Sequence, residues 1–269
     1  VFKSFTIENK SNIIIPHPSF SMYKVYAKLF NVKTKIIDYD NNYNINFNNI
    51  FKIADKNTSI IFLPNPNMPI EGFLNSMKIE KIAKFCKKNK IILFIDEVYF
   101  HFSNNTSIKL INKYKNIIVA RSFSKAFGLA GIRLGYLVSN FNHIKYISNT
   151  RSGYESNSTS LAIASYFLDN FHIVKKYVNQ IKQGLKYLKY ELKKNDIEFA
   201  SGNKGNFIFI KLKNHEISNK IYRYLIKKNI YVRSGWEKPF DNYICVSGSN
   251  KNNMKFFLNN FLKAKKHYE

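Results

Sequence analysis

Five short apolar runs, each closed by polar or small residues, do most to limit what this chain can fold into. They are NIIIPHP (12–18), TSIIFLPNPN (58–67), KIILFIDEVYF (90–100), NIIVARSFS (116–124) and GIRLGYLVS (131–139). Runs of this length, rich in Ile, Val and Phe, read as buried strands. Longer mixed segments lie between them, and SMYKVYAKLF (21–30) and SMKIEKIAKFCKKN (76–89) have helical spacing. Strands alternating with helices predict an α/β fold, a mostly parallel sheet with helices on both faces. The strongest polar signals fall just after the strands, at the edge where open α/β sheets bind ligands.

After Tyr154 the pattern changes. Residues 158–195 form one long helical pattern with a single expected break. NFIFIKL (206–212), a helical SNKIYRYLIKKN (218–229), IYVRS (230–234), YICVSG (243–248) and a last helix follow. That order predicts a large domain over 1–151, then a long interdomain helix and a small α+β domain over 152–269. No internal repeat or low-complexity linker separates the two.

With 43 Lys and Arg against 17 Asp and Glu, the formal charge is +26, which raises nucleic-acid binding as a possibility. The lysines, however, are spread through almost every segment and mixed with Asn, Ile, Phe and Tyr. A solvated basic surface with no nucleic-acid partner is the expectation. Cys86 and Cys245 show no CxxC or His-linked spacing, so neither a disulfide framework nor a metal site is expected. No run approaches the roughly 18 apolar residues of a membrane span, and no signal peptide opens the chain. A cytoplasmic protein without a membrane partner is expected. The first residue is Val rather than Met, as in a piece of a longer protein.

The stretch VARSFSKAFGLAGIRLGY (119–136) sets Lys125 among serines and small residues, then places Arg133 in a glycine-rich turn. A lysine with little charge around it, partly closed to water, has its amine pKa lowered, as attack on a carbonyl carbon requires. DEVY (96–99) ends an apolar strand, and NPNMPIEG (65–72) follows another. Each is weak alone, since an Asp at a strand end is often only a helix cap. Together they resemble the fold-type I enzymes of pyridoxal phosphate, most closely the histidinol-phosphate aminotransferase family. The resemblance runs over essentially the whole chain, from PHPSFSMY to YICVSGSN, and is densest in SFSKAFGLAGIRLGY.

The resemblance implies a role for each matched residue. Lys125 matches the lysine that carries pyridoxal 5'-phosphate covalently, and Asp96 the carboxylate that keeps the pyridine nitrogen protonated so that the ring can take up electrons. Tyr99 matches the tyrosine that hydrogen-bonds the ring hydroxyl, and Phe20 the aromatic that stacks on the ring. Ser122, Ser124 and Arg133 match the phosphate ligands, with hydroxyls and a guanidinium fork suited to a dianion. His17 and His101 lie near these motifs, but the family pattern asks for no histidine there, so both are expected to be structural. Cys86, on a helical pattern, is expected to pack as a small hydrophobe.

Three departures from the family pattern bear on function. Met68 stands where an asparagine amide would touch the ring hydroxyl, so either Asn67 takes over that contact or Tyr99 holds it alone. The Met68–Pro69 bond is expected to be cis by analogy. Cys245 replaces an arginine that grips the substrate carboxylate, leaving Arg233 as an anion reader and Arg151 as a further cationic candidate. A Gly-x-Asp type turn that helps hold the cofactor phosphate, and an arm that reaches the neighbouring subunit, lie outside this sequence, so a truncated longer enzyme is expected.

The implied function is amino transfer between small molecules, from an amino acid to a phosphorylated keto or aldehyde acceptor, by a homodimer. A decarboxylase of a phosphorylated amino acid is the alternative within the same chemistry. A non-catalytic basic binding module descended from such an enzyme is the alternative of another class.

Overall fold

The apolar runs become strands because residues two apart along them are apolar on both sides, so both faces can be covered. The computed structural model describes residues 1–40 and 45–269. Six strands form the first sheet: β1 (Asn12–His17), β2 (Lys33–Asp38), β3 (Thr58–Pro64), β4 (Ile92–Asp96), β5 (Ile117–Ser122) and β6 (Gly135–Val138). Their order is β2-β1-β3-β4-β5-β6, with β1 to β5 parallel and β6 antiparallel to β5.

Helices α1 (Phe2–Phe5), α2 (Met22–Leu29), α3 (Asn48–Ile53), α4 (Ser76–Lys88), the single turn α5 (Phe100–Ser103), α6 (Phe141–Ser148) and α7 (Ser158–Asp169) accompany these strands. Ile14, Ile61, Leu63, Leu93, Ile95, Ile117 and Val119 share one core with α3 and α4. Ile13, Ile15, Ile60, Phe62, Phe94 and Ile118 share the other core with α1, α2 and α6. Cys86 is a fully buried member of the first core, where burial pushes its thiol up to about 12. Asparagine oxygens start α4, α6 and α7, where Asn75, Asn140 and Asn157 each accept a backbone N–H from the first turn.

The second unit holds an antiparallel sheet of β7 (Phe199–Ser201), β8 (Phe207–Lys211) and β9 (Tyr243–Ser247), with α8 (Phe171–Lys194), α9 (His215–Lys227) and α10 (Lys251–Tyr268). On α8 the residues Val174, Val178, Ile181, Leu185, Leu188 and Leu192 recur every three to four positions and are all buried.

Several expectations change in detail. The chain divides into Val1–Phe100 with Asn104–Asp169, and His101–Ser103 with Asn170–Glu269, so the expected division at 151 falls inside the first unit. One tie that holds α7 there is the Ser160 hydroxyl, which donates to the Ile132 carbonyl at 2.8 Å. The break in the long helical pattern falls at Asn170. GIRLGYLVS is not a buried central strand: residues 130–132 make a helical turn, and only 135–138 pair, on one side, as an exposed sheet edge. IYVRS is not a strand among the described residues; Arg233 alone pairs with Cys245, and the chain turns away at Gly235, whose φ is +73°. The edge strand β2, with its lysines, carries no apolar run to announce it.

Candidate active site

Strand register decides which side chains meet. Pro64, Asp96 and Ala120 lie side by side in β3, β4 and β5. The Asn65 N–H donates to the Asp96 carbonyl and the Glu97 N–H to the Ala120 carbonyl, both at 2.9 Å, so the three strands end at one level. Residues 65–68, 96–99 and 122–125 therefore emerge along one carboxyl edge. The strand order reverses between β1 and β3, and a crevice at such a point is where open sheets take ligands.

Asp96 continues the face of Ile92 and Phe94, which puts its half-buried side chain beside α2. Its Oδ2 accepts the Tyr23 hydroxyl at 2.6 Å and its Oδ1 accepts the Val98 N–H at 3.1 Å. Burial pushes the carboxyl above its ordinary value; the two donors and the charge of Lys125 pull it down, while Glu97 pushes it up. The same burial, with Asp96 alongside, holds the Tyr23 phenol well above its usual range.

Lys125 sits in a loop closed on itself by main-chain bonds, Phe123 N–H to Leu134 O and Leu129 N–H to Phe123 O, with Gly128 at φ +69° making the bend. Its Nζ lies 5.6 Å from the centre of the Tyr99 ring. Lys125, Tyr99 and Asp96 are thus brought together at that edge. Ser122 accepts the Ser124 N–H on its hydroxyl at 3.0 Å at the start of the same loop. Phe20 is 55% exposed, and its ring meets Tyr23 edge-on at 5.6 Å.

Met68 occupies the position beside Tyr99: the Tyr99 hydroxyl donates to Met68 Sδ at 3.3 Å. The Met68–Pro69 bond is cis. Asn67 spends its amide N–H groups on the Pro18 carbonyl at 3.0 Å and on the Tyr39 hydroxyl. Its Oδ1, fully buried, has no partner among the described residues, and neither has the buried Ser19 Oγ. Polar atoms buried without partners are costly, and a polar ligand is one way to satisfy them.

Each of the three candidate arginines has a partner of its own. Arg133 adopts φ +53° on the exposed turn and donates to the Ala130 carbonyl at 3.0 Å. Arg151 is exposed and ion-paired with Glu155. In the second unit, Arg233 exchanges both main-chain bonds with Cys245, at 3.0 and 2.7 Å, and its guanidinium lies 4.2 Å over the Trp236 ring. Cys245, where the family resemblance implies an arginine, therefore has Arg233 as its bridge partner.

Two features escaped the sequence reading. Tyr23 gave one signal, its place three residues after Phe20 in SFSMY, which sets it in the first turn of the helix that follows Phe20. The other is a buried ion pair behind the site: Arg121 donates to Glu97 Oε2 through Nε at 3.2 Å and Nη2 at 2.9 Å. Thr106 and the Ser107 N–H also donate to that carboxylate, and Phe100 lies under the guanidinium at 3.6 Å. Arg121 precedes Ser122 and Glu97 follows Asp96, so the pair locks together the two strand ends that carry the site.

The family model described as "Aminotransferase class I and II" matches residues 1–260. A histidinol-phosphate aminotransferase of Thermoanaerobacter sp. (strain X514) is 37% identical over 227 residues, a match covering 84% of this chain and 63% of the relative's own length. The solved structure of the histidinol-phosphate aminotransferase from Clostridium acetobutylicum superposes with a TM-score of 0.87 at 24% identity, covering 96% of this chain and 78% of that one. The enzyme of the same name from Sinorhizobium meliloti, solved in complex with pyridoxal-5'-phosphate, gives 0.87 at 16% identity over 98% of this chain and 73% of its own. These likenesses bear out the α/β fold with a mostly parallel sheet expected from the sequence. No helix among the described residues is long and apolar enough to cross a membrane.

Proposed function

Because this chain belongs to the aminotransferase class I and II family, we propose that it binds pyridoxal 5'-phosphate and transfers an amino group from an amino acid to a phosphorylated keto or aldehyde acceptor. One observation carries the reading. A lysine and a desolvated carboxylate converge at the carboxyl edge of a parallel sheet, with the carboxylate held on both oxygens and its neighbour Asn67 left with an unsatisfied buried oxygen.

The residues present fit the cofactor. Asp96 would offer a desolvated negative charge to a protonated ring nitrogen, Tyr99 a hydroxyl, and Phe20 an exposed aromatic face. Lys125 would hold the cofactor covalently, and Ser122, Ser124 and Arg133 its phosphate. When bound, the group supplies an aldehyde that condenses with amines and a ring that takes up electrons from the adjacent carbon. Lys125 Nζ, in its neutral form, takes the proton from the Cα of the amino-acid substrate. Asp96 would supply a negative charge to the ring nitrogen, a charge that counts most once the ring holds extra electron density. Asn67, with both N–H groups on protein partners, presents an acceptor, and Tyr99, whose hydroxyl would turn from its weak sulfur acceptor on Met68, is the donor proposed for the ring hydroxyl.

Arg233, helped by Arg151, reads the substrate anion in place of the arginine absent at position 245. The protein acts in the cytoplasm as a homodimer, and its lysines form a solvated surface that selects no nucleic acid.

Borohydride treatment of the purified protein, followed by peptide mass spectrometry, tests the reading. A cofactor adduct on Lys125, absent in Lys125→Ala together with turnover, is expected. Ordinary turnover by Lys125→Ala would overturn it. Bleaching of the bound-cofactor absorbance by amino acids supports transfer, release of carbon dioxide would substitute the decarboxylase, and no cofactor absorbance would leave the basic binding module.

A further inference from the structure

We propose that Tyr23 is a positioning residue for Asp96, and that its hydroxyl keeps that carboxylate charged and oriented for a positively charged ring nitrogen. The inference rests on the cofactor reading above. Tyr23 lies on α2, and its ring is wedged between Phe62, stacked at 4.8 Å and 27°, and Phe20, edge-on at 5.6 Å and 86°. A tyrosine has two side-chain torsions, and contacts on both sides of the ring fix them, so the hydroxyl has one place to point. That place is Oδ2 of Asp96, at 2.6 Å, a length typical of a charge-assisted bond.

The other oxygen, Oδ1, is held by the Val98 N–H at 3.1 Å. With one donor on each oxygen the carboxylate cannot rotate, and lone pairs remain on both oxygens for an incoming N–H. The phenol, held well above its usual range, keeps its proton and stays a donor. The groups that act on Asp96 are Tyr23 from α2, Glu97 on its own strand end, and Lys125 from the loop after β5, with Tyr99 acting on Tyr23 in turn. Among these, Tyr23 and Lys125 favour the charged carboxylate, against burial and Glu97.

A purely structural tyrosine would use only its ring here, and phenylalanine would serve as well between Phe62 and Phe20. The hydroxyl is therefore the part that needs a function. The same side chain also touches Phe20, so one residue couples the carboxylate to the aromatic face proposed for the ring.

The test compares Tyr23→Phe, which keeps the ring packing, with wild type. In cofactor-free protein carrying 13C-labelled aspartate, NMR titration is expected to show the Asp96 carboxyl titrating at higher pH in the variant, because a donor to its charged form is gone. Pyridoxal phosphate, added to the same proteins and followed by fluorescence quenching, is expected to bind on the order of tenfold more weakly to Tyr23→Phe. In an Asp96→Asn background the Tyr23→Phe change is expected to weaken binding no further, since the two groups act as one unit. An unchanged Asp96 titration, or equal loss in both backgrounds, would overturn the proposal. Failure of wild type to bind pyridoxal phosphate would instead overturn the cofactor reading, and the carboxyl titration would still decide whether Tyr23 governs Asp96.

Discussion

Removing the cation behind the site has a cost that can be worked from the structure. In Arg121→Met the Glu97 carboxylate, 1% exposed, keeps Thr106 and the Ser107 N–H as donors but loses both guanidinium bonds and its counter-charge. Breaking a buried pair from one side typically costs about 3–5 kcal/mol, because the remaining charge stays out of water. The Arg121 side chain is 11% exposed, so solvent screens the pair little. Loss of the guanidinium over Phe100 adds up to about 2 kcal/mol at a desolvated site, partly recovered by the packing of methionine. At about 2–4 °C per kcal/mol for a domain of this size, the broken pair alone should lower the melting temperature by about 6–20 °C. Glu97→Gln should fall by a comparable amount, and the double variant should recover to within about 2 kcal/mol of wild type, since the uncompensated charge is then gone. Thermal unfolding followed by circular dichroism reads all three. A single Arg121→Met variant within about 1 kcal/mol of wild type, or a double variant as unstable as the sum of the singles, would refute the argument.

Two further outcomes are expected. Gly184 faces the Ser249 carbonyl at contact distance, so the methyl of Gly184→Ala forces main chain apart. An overpacking cost of about 1–3 kcal/mol is offset by about 1 kcal/mol of helix propensity, and a lowered melting temperature is expected; a rise would show that α8 tolerates the methyl. Asp55 is bonded by Lys35 at 2.7 Å and Asn12 at 2.8 Å, which hold its carboxyl well below the usual carboxylate value. A depressed folded value means stability present above about pH 4 and lost as pH falls through the folded value. The side chain is 45% exposed, so the contribution is screened to about 1 kcal/mol or less. Asp55→Asn should melt a few degrees lower at neutral pH by differential scanning fluorimetry, and the gap should narrow progressively as pH falls below about 4. A gap independent of pH would mean that the charge contributes nothing.

The strands that build the site were legible because their signal is local. Ile13, Ile15, Ile60 and Phe62 face one core while Ile14, Ile61 and Leu63 face the other, and an apolar run is all that a strand covered on both faces needs to display. Asp96, Tyr99 and Lys125 lie at or within three residues of such strand ends, so finding the strands sets them at the carboxyl edge, while the roles expected of them came only from the family resemblance. β2 was not, because an edge strand reading KTKIID is covered on one side only and can leave its lysines in water.

Side-chain pairing across the fold was decided by tertiary structure alone. Nothing near SMYKVY marks Tyr23 as the donor to a carboxylate 73 residues away, and nothing in DEVY says that Glu97 needs the arginine of VARSFS. The order of strands places β1 next to β3 and β4 next to β5, and the register sets Asp96 level with Ala120, so that Glu97 and Arg121 close on each other behind the site. A local window holds propensity and burial, which depend on neighbours in sequence. Hydrogen bonds between groups far apart in sequence depend on angstrom-level placement, which exists only once the whole sheet has packed.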